Sequence, residues 1–389
     1  MDAFYASVEL LRRPELKGLP VVIGGRRAGG ALGDMRDARP LKEYAGRGVV
    51  TTCTYEARAF GVHSAMGMMK AAALCPEAIW LPADFDEYRK YSRLFKAAIA
   101  EAVAEASVSS ASPEDALIED RGIDEVYIDL TEVPGDSISL AQRIKAHVAR
   151  ATRLTCSIAV APNKLLAKIG SELDKPDGLT ILEPDDLEAR IWPLAAKRIN
   201  GVGPKLNEKL ALLNIHTIGD LARETPEFLV KHFGQNHGAW LHECAWGRDE
   251  RLVHTFLEPK SRSRETTFAE DTRDWNEVAG VLVKLCKQVA EDLQRRQYQG
   301  RTIGVKLRYN DFSIVTRDKS VDLPTNDAVA IRKAAFEALA RVAPNRKLAR
   351  PIRLIGVRVG ALSAAGAQLQ SPVAETETGQ RGKTLPLFE

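Results

Sequence analysis

Gly122-Ile-Asp-Glu-Val-Tyr-Ile-Asp-Leu130 is the stretch on which the reading of this chain turns. Its alternation of apolar and polar residues predicts a half-buried β-strand. Two carboxylates, Asp124 and Glu125, stand side by side on it, with Asp129 further on. Adjacent strand residues point to opposite faces unless the strand bends or ends. At such a bend the pair can share a divalent cation. Hard oxygen donors of this kind suit Mg2+, which keeps several waters and takes substrate phosphates as well. Two such ions can clamp an in-line phosphoryl displacement. By itself an Asp-Glu pair is weak evidence, with a solvated strand end as its default reading, so the surroundings have to decide.

Outward from this strand the first half of the chain mixes strands and helices. Pro20–Gly25 and Gly48–Cys53 predict buried strands, and Thr155–Val160 predicts another. Helices are expected over 65–74, 84–106, 137–152 and 163–173. Residues 26–47, rich in Gly, Arg and Asp, and the Ser-rich 107–117 predict loops. Residues 183–250 read as helices joined by short polar turns. From Ser261 strands return at 262–268, 302–309, 312–320 and 352–359, interleaved with amphipathic helices over 275–296 and 327–342. That is a β-α-β-β-α-β order, a small sheet with two helices on one face. The fold class is therefore α+β. After Ala361 the chain turns Ala/Gly/Gln/Ser/Thr-rich, a composition of disordered segments, until an apolar end at Leu385-Pro-Leu-Phe388.

A length of 389 residues predicts two to four compact units. The sequence has no run of about 18 apolar residues, so no membrane span is expected, and its first residues do not form a secretory signal. The five cysteines are scattered without metal-ligand spacing, as expected of free thiols in a reducing cytoplasm. The net charge is +3, but residues 301–360 carry thirteen Lys/Arg against five acids, a net of +8. The rest of the chain therefore nets −5. A basic module joined to a mildly acidic body suits polyanion binding beside metal binding, with a solvated basic face as the plainer alternative.

Three further residues carry phosphate chemistry. Tyr55-Glu-Ala-Arg58 follows the strand over 48–53. Arg binds phosphate in a forked geometry and a Tyr hydroxyl donates to the same oxygens. Lys175, in Lys175-Pro-Asp-Gly178, would be a point charge on a triphosphate or a cation at a helix C-terminus.

Five stretches now stand in a familiar order: Met1–Glu9, Tyr55–Met66, Gly122–Asp129, Cys156–Lys168 and Asp174–Gly178. Together they resemble the Y-family DNA polymerases of the bacterial DNA polymerase IV (DinB-like) branch, from Met1 to about Gly360. The resemblance implies a right-hand polymerase. Its palm would span 1–3 and 83–182, small fingers 4–82, a helical thumb 183–250, a linker 251–260 and a βαββαβ little finger 261–361. A disordered tail would follow over 362–389. It implies a low-fidelity, template-directed, lesion-bypassing enzyme without proofreading, working with two Mg2+ ions or Mn2+ in their place. Asp124 and Glu125 would be catalytic metal ligands, joined by the Met1 backbone carbonyl. Tyr55, Arg58 and Lys175 would hold the incoming dNTP. Tyr5 would be the steric gate, a ring in contact with C2′ that leaves no room for a ribonucleotide's 2′-hydroxyl.

Ile199-Asn-Gly-Val-Gly-Pro-Lys205 resembles a helix-hairpin-helix. Gly201 and Gly203 let the backbone approach a DNA phosphate, with Lys205 beside it and N–H groups at the following helix start. Such contacts position primer-template DNA without reading its sequence. Arg262, Arg264, Arg308, Arg317 and Arg358 are candidate phosphate contacts of the basic module. Leu385, Leu387 and Phe388 look like a sliding-clamp peptide whose side chains fill a groove, with Thr384 where the family usually has Gln. A cytoplasmic, nucleoid-associated monomer is expected. The family's pattern also has an Asp as third metal ligand, preceded by a short apolar strand. By this register that Asp falls one residue before Met1, Asp2 being the motif's second acid. The sequence as written is thus expected to lack the first palm strand and to be impaired. A non-catalytic DNA-binding scaffold of the same fold is the rival. A nucleotide cyclase on a related palm would leave the hairpin-helix and the basic module unused.

Overall fold

The computed structural model describes residues 1–25, 39–107, 117–133 and 135–365. It divides into two units, Met1–Phe256 and a second beginning at Leu257, each with its own core. The first unit starts with α1 (Phe4–Arg12). Next come β1 (Val21–Gly24), β2 (Arg39–Pro40), β3 (Val50–Cys53), α2 (Tyr55–Ala59), α3 (Met68–Leu74) and β4 (Ile79–Leu81). Their strands form one sheet in the order β2-β4-β1-β3. The β-branched run at 21–23 is buried on both sides, as a central strand requires.

Then come α4 (Phe85–Ser107), β5 (Ile118–Asp120), β6 (Val126–Ile128), α5 (Ser137–Thr152), β7 (Ile158–Val160), α6 (Lys164–Gly170) and β8 (Leu179–Ile181). Here the structure corrects the sequence reading. The stretch 122–130 is not one strand: β5 and β6 pair antiparallel, and 121–125 is the turn between them. The Glu125 carbonyl accepts from the Arg121 N–H at 3.1 Å and closes that turn. Ile123 still packs on the core beneath, so the apolar rhythm persists where the ladder has stopped. Asp129 ends β6, its carboxylate accepting from the N–H and hydroxyl of Thr131.

Beneath the two strand pairs, α4 and α5 bury Tyr88, Phe95, Ile99, Leu140, Ile144 and Val148. Helix α1 is shared: Phe4 and Val8 join this core, while Ala6 joins Val21, Ile23 and Leu81. Strands β7 and β8 pair parallel, separately from β5 and β6. Among the described residues no strand joins β6 to β7. Only the start of the chain enters there, with the Met1 amine donating to the Asp124 carbonyl at 2.9 Å and the Asp2 N–H to the Thr155 carbonyl at 3.2 Å. A cleft of about 720 Å³ adjoins them, lined by β6, β7, Phe95, Ile99, Ile144 and Val148.

The helical segment holds α7 (Pro204–Ala211), α8 (Ile218–Arg223), α9 (Pro226–Phe233) and α10 (Gln235–Ala245) around Ile199, Leu210, Ile215, Leu221, Leu229 and Leu241. Gly201 sits at φ +115° with the Trp240 ring 2.8 Å from where a Cβ would stand. Only glycine fits both demands. The chain leaving α10 is tied back to the strands: Lys164 donates to the Leu252 carbonyl, and Glu119 accepts from Lys164 and the His254 N–H.

The second unit runs β9 (Ser261–Thr272), α11 (Trp275–Arg295), β10 (Tyr298–Tyr309), β11 (Ile314–Thr325), α12 (Ala328–Ala340) and β12 (Ile352–Ala364). Its sheet order is β11-β10-β12-β9, with α11 and α12 packed on one face over Ile303, Val305, Leu307, Ile355, Val357 and Val359. Strand β12 outlasts the expected end at Ala361: Leu362–Ala364 pair with Tyr298–Gly300. A waiting partner strand outweighs weak local propensity there. All five cysteines are free and buried. No helix among the described residues is long and apolar enough to cross a membrane.

Candidate active site

The turn of the β5–β6 hairpin delivers Asp124 and Glu125 to the end of the cleft that Met1, Lys168 and Lys175 also line. The half-buried Asp124 carboxylate accepts no hydrogen bond from the described residues. Its pKa is raised by burial and by the neighbouring Glu125, against the opposing charges of the Met1 amine, Lys175 and Lys168. A carboxylate held partly out of water with no donor of its own is poised for a cation. Glu125 is partnered by Lys168 at 2.7 Å. Two carboxylates and a nearby main-chain carbonyl are hard oxygen donors. They fit a divalent ion that completes its shell with water and phosphate. Among the described residues no group of three or more His, Cys, Asp or Glu could hold a metal unaided.

The other sequence candidates gather nearby to different degrees. Tyr5, on the first turn of α1, stacks on Tyr88 at 4.4 Å and meets Phe85 edge-on. Burial, and to a lesser degree the charge of Asp124, raise its hydroxyl pKa. Tyr55 opens α2, and the Arg58 guanidinium lies over its ring at 5.0 Å, a cation–π pairing. Burial, then the charges of Asp2 and Glu172, raise the Tyr55 hydroxyl pKa. Neither Tyr55 nor Arg58 lines the cleft itself.

Sequence reading passed over two residues here. Lys168, on α6, bonds Glu125 and also Glu172 at 3.1 Å, and Lys175 bonds Glu172 at 2.8 Å. Glu125, Lys168, Glu172 and Lys175 form a row of alternating charge. Against the cost of burial, the hydrogen bond from Lys175 and the charge of Lys168 hold the Glu172 pKa below the usual range. The signal was present: Lys168 and Glu172 are spaced i,i+4, with Lys175 three further on.

The expected DNA contacts divide by position. Gly203 caps α7, and Lys205 stands exposed in its first turn. In the second unit, Lys306 and Arg308 alternate with the buried Val305, Leu307 and Tyr309, so they lie on the sheet face opposite the helices, as does Arg358. Arg358 bonds Asp318. Arg262 and Arg264 pair across from Val359 and Val357 and face the helices, where both bond the buried Asp292 of α11. Arg317 pairs across from Val305, also on that side. Leu385, Leu387 and Phe388 lie outside the described residues.

The chain is similar to known proteins. The impB/mucB/samB family matches residues 1–172 and its C-terminal domain residues 259–371, with a DNA polymerase-iota thumb domain matching 197–249. A DNA polymerase IV from Methanoculleus marisnigri is 38% identical over 377 residues, covering 96% of each chain. One from Alkalilimnicola ehrlichii is 39% identical over 365 residues, covering 93% of each. Among solved structures, a Y-family DNA polymerase chimera of Dbh and Dpo4 superimposes with a TM-score of 0.75 at 26% identity, covering 94% of this chain and 98% of that one. An insertion ternary complex of Dbh DNA polymerase gives 0.59 at 26%, covering 92% and 96%. The chain belongs to the Y-family of translesion DNA polymerases. Within it, the sequence stands in the DNA polymerase IV branch.

Proposed function

We propose that the chain extends a primer on a DNA template, joining the primer 3′-hydroxyl to the α-phosphate of a dNTP with release of pyrophosphate. The observation that carries this is the unpartnered Asp124 carboxylate beside Glu125, in one cleft with Lys175. Asp124, Glu125 and the Met1 carbonyl would hold Mg2+, with Mn2+ as a substitute. When bound, the ions lower the pKa of the attacking hydroxyl and offset charge on the leaving pyrophosphate. Lys175, with Tyr55 and Arg58, neutralises and aligns the triphosphate, so these residues catalyse by positioning and by electrostatics. The Tyr5 ring, wedged between Tyr88 and Phe85, is stiff enough to exclude a 2′-hydroxyl. Gly201, Gly203 and Lys205 would seat duplex phosphates. Lys306, Arg308 and Arg358 on the open sheet face would follow the backbone. By this reading 83–182 is palm, 4–82 fingers, 183–250 thumb and 261–361 little finger. A clamp-binding C-terminal peptide, a monomeric state and a cytoplasmic, nucleoid-associated life complete the proposal.

Primer extension with Mg2+ and four dNTPs tests it. Asp124→Ala should lower addition by at least about 10²-fold, the scale of losing one preorganised electrostatic partner, with duplex binding retained. Residual addition near that of the parent chain would refute the metal role. Tyr5→Ala should admit ribonucleotides, and unchanged discrimination would remove the gate. The scaffold reading draws on Lys168 already neutralising Glu125. It predicts DNA binding without any extension by the parent chain.

A further inference from the structure

Asp2 is 3% exposed, although it lies next to a catalytic cleft that it does not line. Both of its carboxylate oxygens are occupied. Oδ1 accepts from the Ser157 hydroxyl at 2.7 Å and Oδ2 from the Asp177 N–H at 2.9 Å. Ser157 in turn accepts from the Gly178 N–H at 3.2 Å. The Asp2 backbone is fixed too, with the N–H on the Thr155 carbonyl and the carbonyl accepting from the Ser7 hydroxyl.

The segment so gripped is the Asp174–Gly178 turn, which carries Lys175. Gly178 has the Asp174 carbonyl oxygen 2.3 Å from where a Cβ would stand, so the turn is tight. Lys145 grips it as well, donating to the Asp177 and Gly178 carbonyls and to the Cys156 carbonyl just ahead of β7. We propose that Asp2 is a positioning residue: its carboxylate fixes the turn that presents Lys175 to the triphosphate, and it is not a metal ligand. Anionic acceptors of backbone N–H groups are strong and directional. A lysine on a four-carbon stem gains precision only from a fixed Cα. This rests on the reading of Lys175 as a triphosphate ligand.

The test measures the affinity of the full chain for dCTP on a primer-template with a dideoxy-terminated primer and a templating dG, in Mg2+, so that no turnover is needed. Asp2→Ala should weaken dCTP binding about tenfold, equivalent to ~1.4 kcal/mol, with duplex affinity unchanged. Ser157→Ala removes one leg of the grip and should weaken it about threefold, which keeps the test alive if Asp2→Ala misfolds. The double variant Asp2→Ala/Lys175→Ala should bind no worse than Lys175→Ala alone, because groups acting through one another are non-additive. Additive losses, or full dCTP affinity in folded Asp2→Ala while Lys175→Ala loses it, overturn the positioning role and leave Lys175 standing. Full affinity in Lys175→Ala, or no dCTP binding by the parent chain, overturns both readings.

Discussion

At the scale of residues, the site is organised around a carboxylate that the protein leaves unsatisfied. The Asp124 pKa is raised in the fold, burial being the larger cause. A carboxyl with a raised folded pKa contributes stability below its unfolded value of about 4 and loses it as pH rises through the folded value. Near neutrality, therefore, ionised Asp124 costs the metal-free protein stability. Asp124→Asn should raise the melting temperature of the metal-free chain while abolishing nucleotide addition, and a lower one by calorimetry would contradict the geometry. At subsaturating Mg2+, where proton and metal compete for Asp124, nucleotide addition by the parent chain should decline with acidity at a pH above that of an ordinary Asp, read from a pH–rate profile, and saturating Mg2+ should move the decline to lower pH. Asp124 and Glu125 drew notice in the sequence, but an adjacent Asp-Glu pair by itself reads as a solvated strand end, and only the neighbouring motifs and the family resemblance gave it weight. Lys168 and Glu172 did not draw notice, because an i,i+4 pair on a helix ordinarily means only a surface ion pair. Asp2 drew notice as an acid near the site, but its hydrogen bonds reach residues about 155 and 175 positions away. No local pattern encodes those.

At the scale of elements, the second unit's sheet sorts its cations by face. Arg262 and Arg264 are spent on Asp292, while Arg308 stands on the open face with no partner among the described residues. Arg308→Ala should weaken duplex binding and lower the slope of log affinity against log salt by about 0.9. Arg264→Ala should leave that slope nearly unchanged. Asp292→Ala should instead destabilise this unit by about 1–3 kcal/mol in urea unfolding, the range for hydrogen bonds to a charged group. The hydrogen bond from Arg264 lowers the Asp292 pKa. Its contribution is therefore present above pH about 4 and lost as pH falls through the folded value. The strands and helices of this unit were legible because each is long and has a buried face. Which arginine lies on which face needs the register, and the register is fixed only by pairing with strands far along the chain. The hairpin turn at 121–125 escaped notice for a related reason: Ile123 keeps the apolar beat while the backbone reverses.

At the scale of the molecule, two units with separate cores carry opposite charge balance, the basic stretch 301–360 lying wholly in the second. The second unit buries an apolar cluster of its own between two helices and a four-stranded sheet. Residues 257–365 expressed alone should fold and unfold in one cooperative transition, whereas a non-cooperative melt would show that its core needs the first unit. The α+β class was legible throughout, since it needs only the order of elements. Among the described residues no strand joins β6 to β7. The interval between them has a practical side. The Met1 amine is a charged group in a partly dry place, and burial depresses its pKa. A peptide N–H there would make the same bond to the Asp124 carbonyl without carrying charge. An affinity tag joined directly to Met1 would therefore start from a partly buried position next to Asp124.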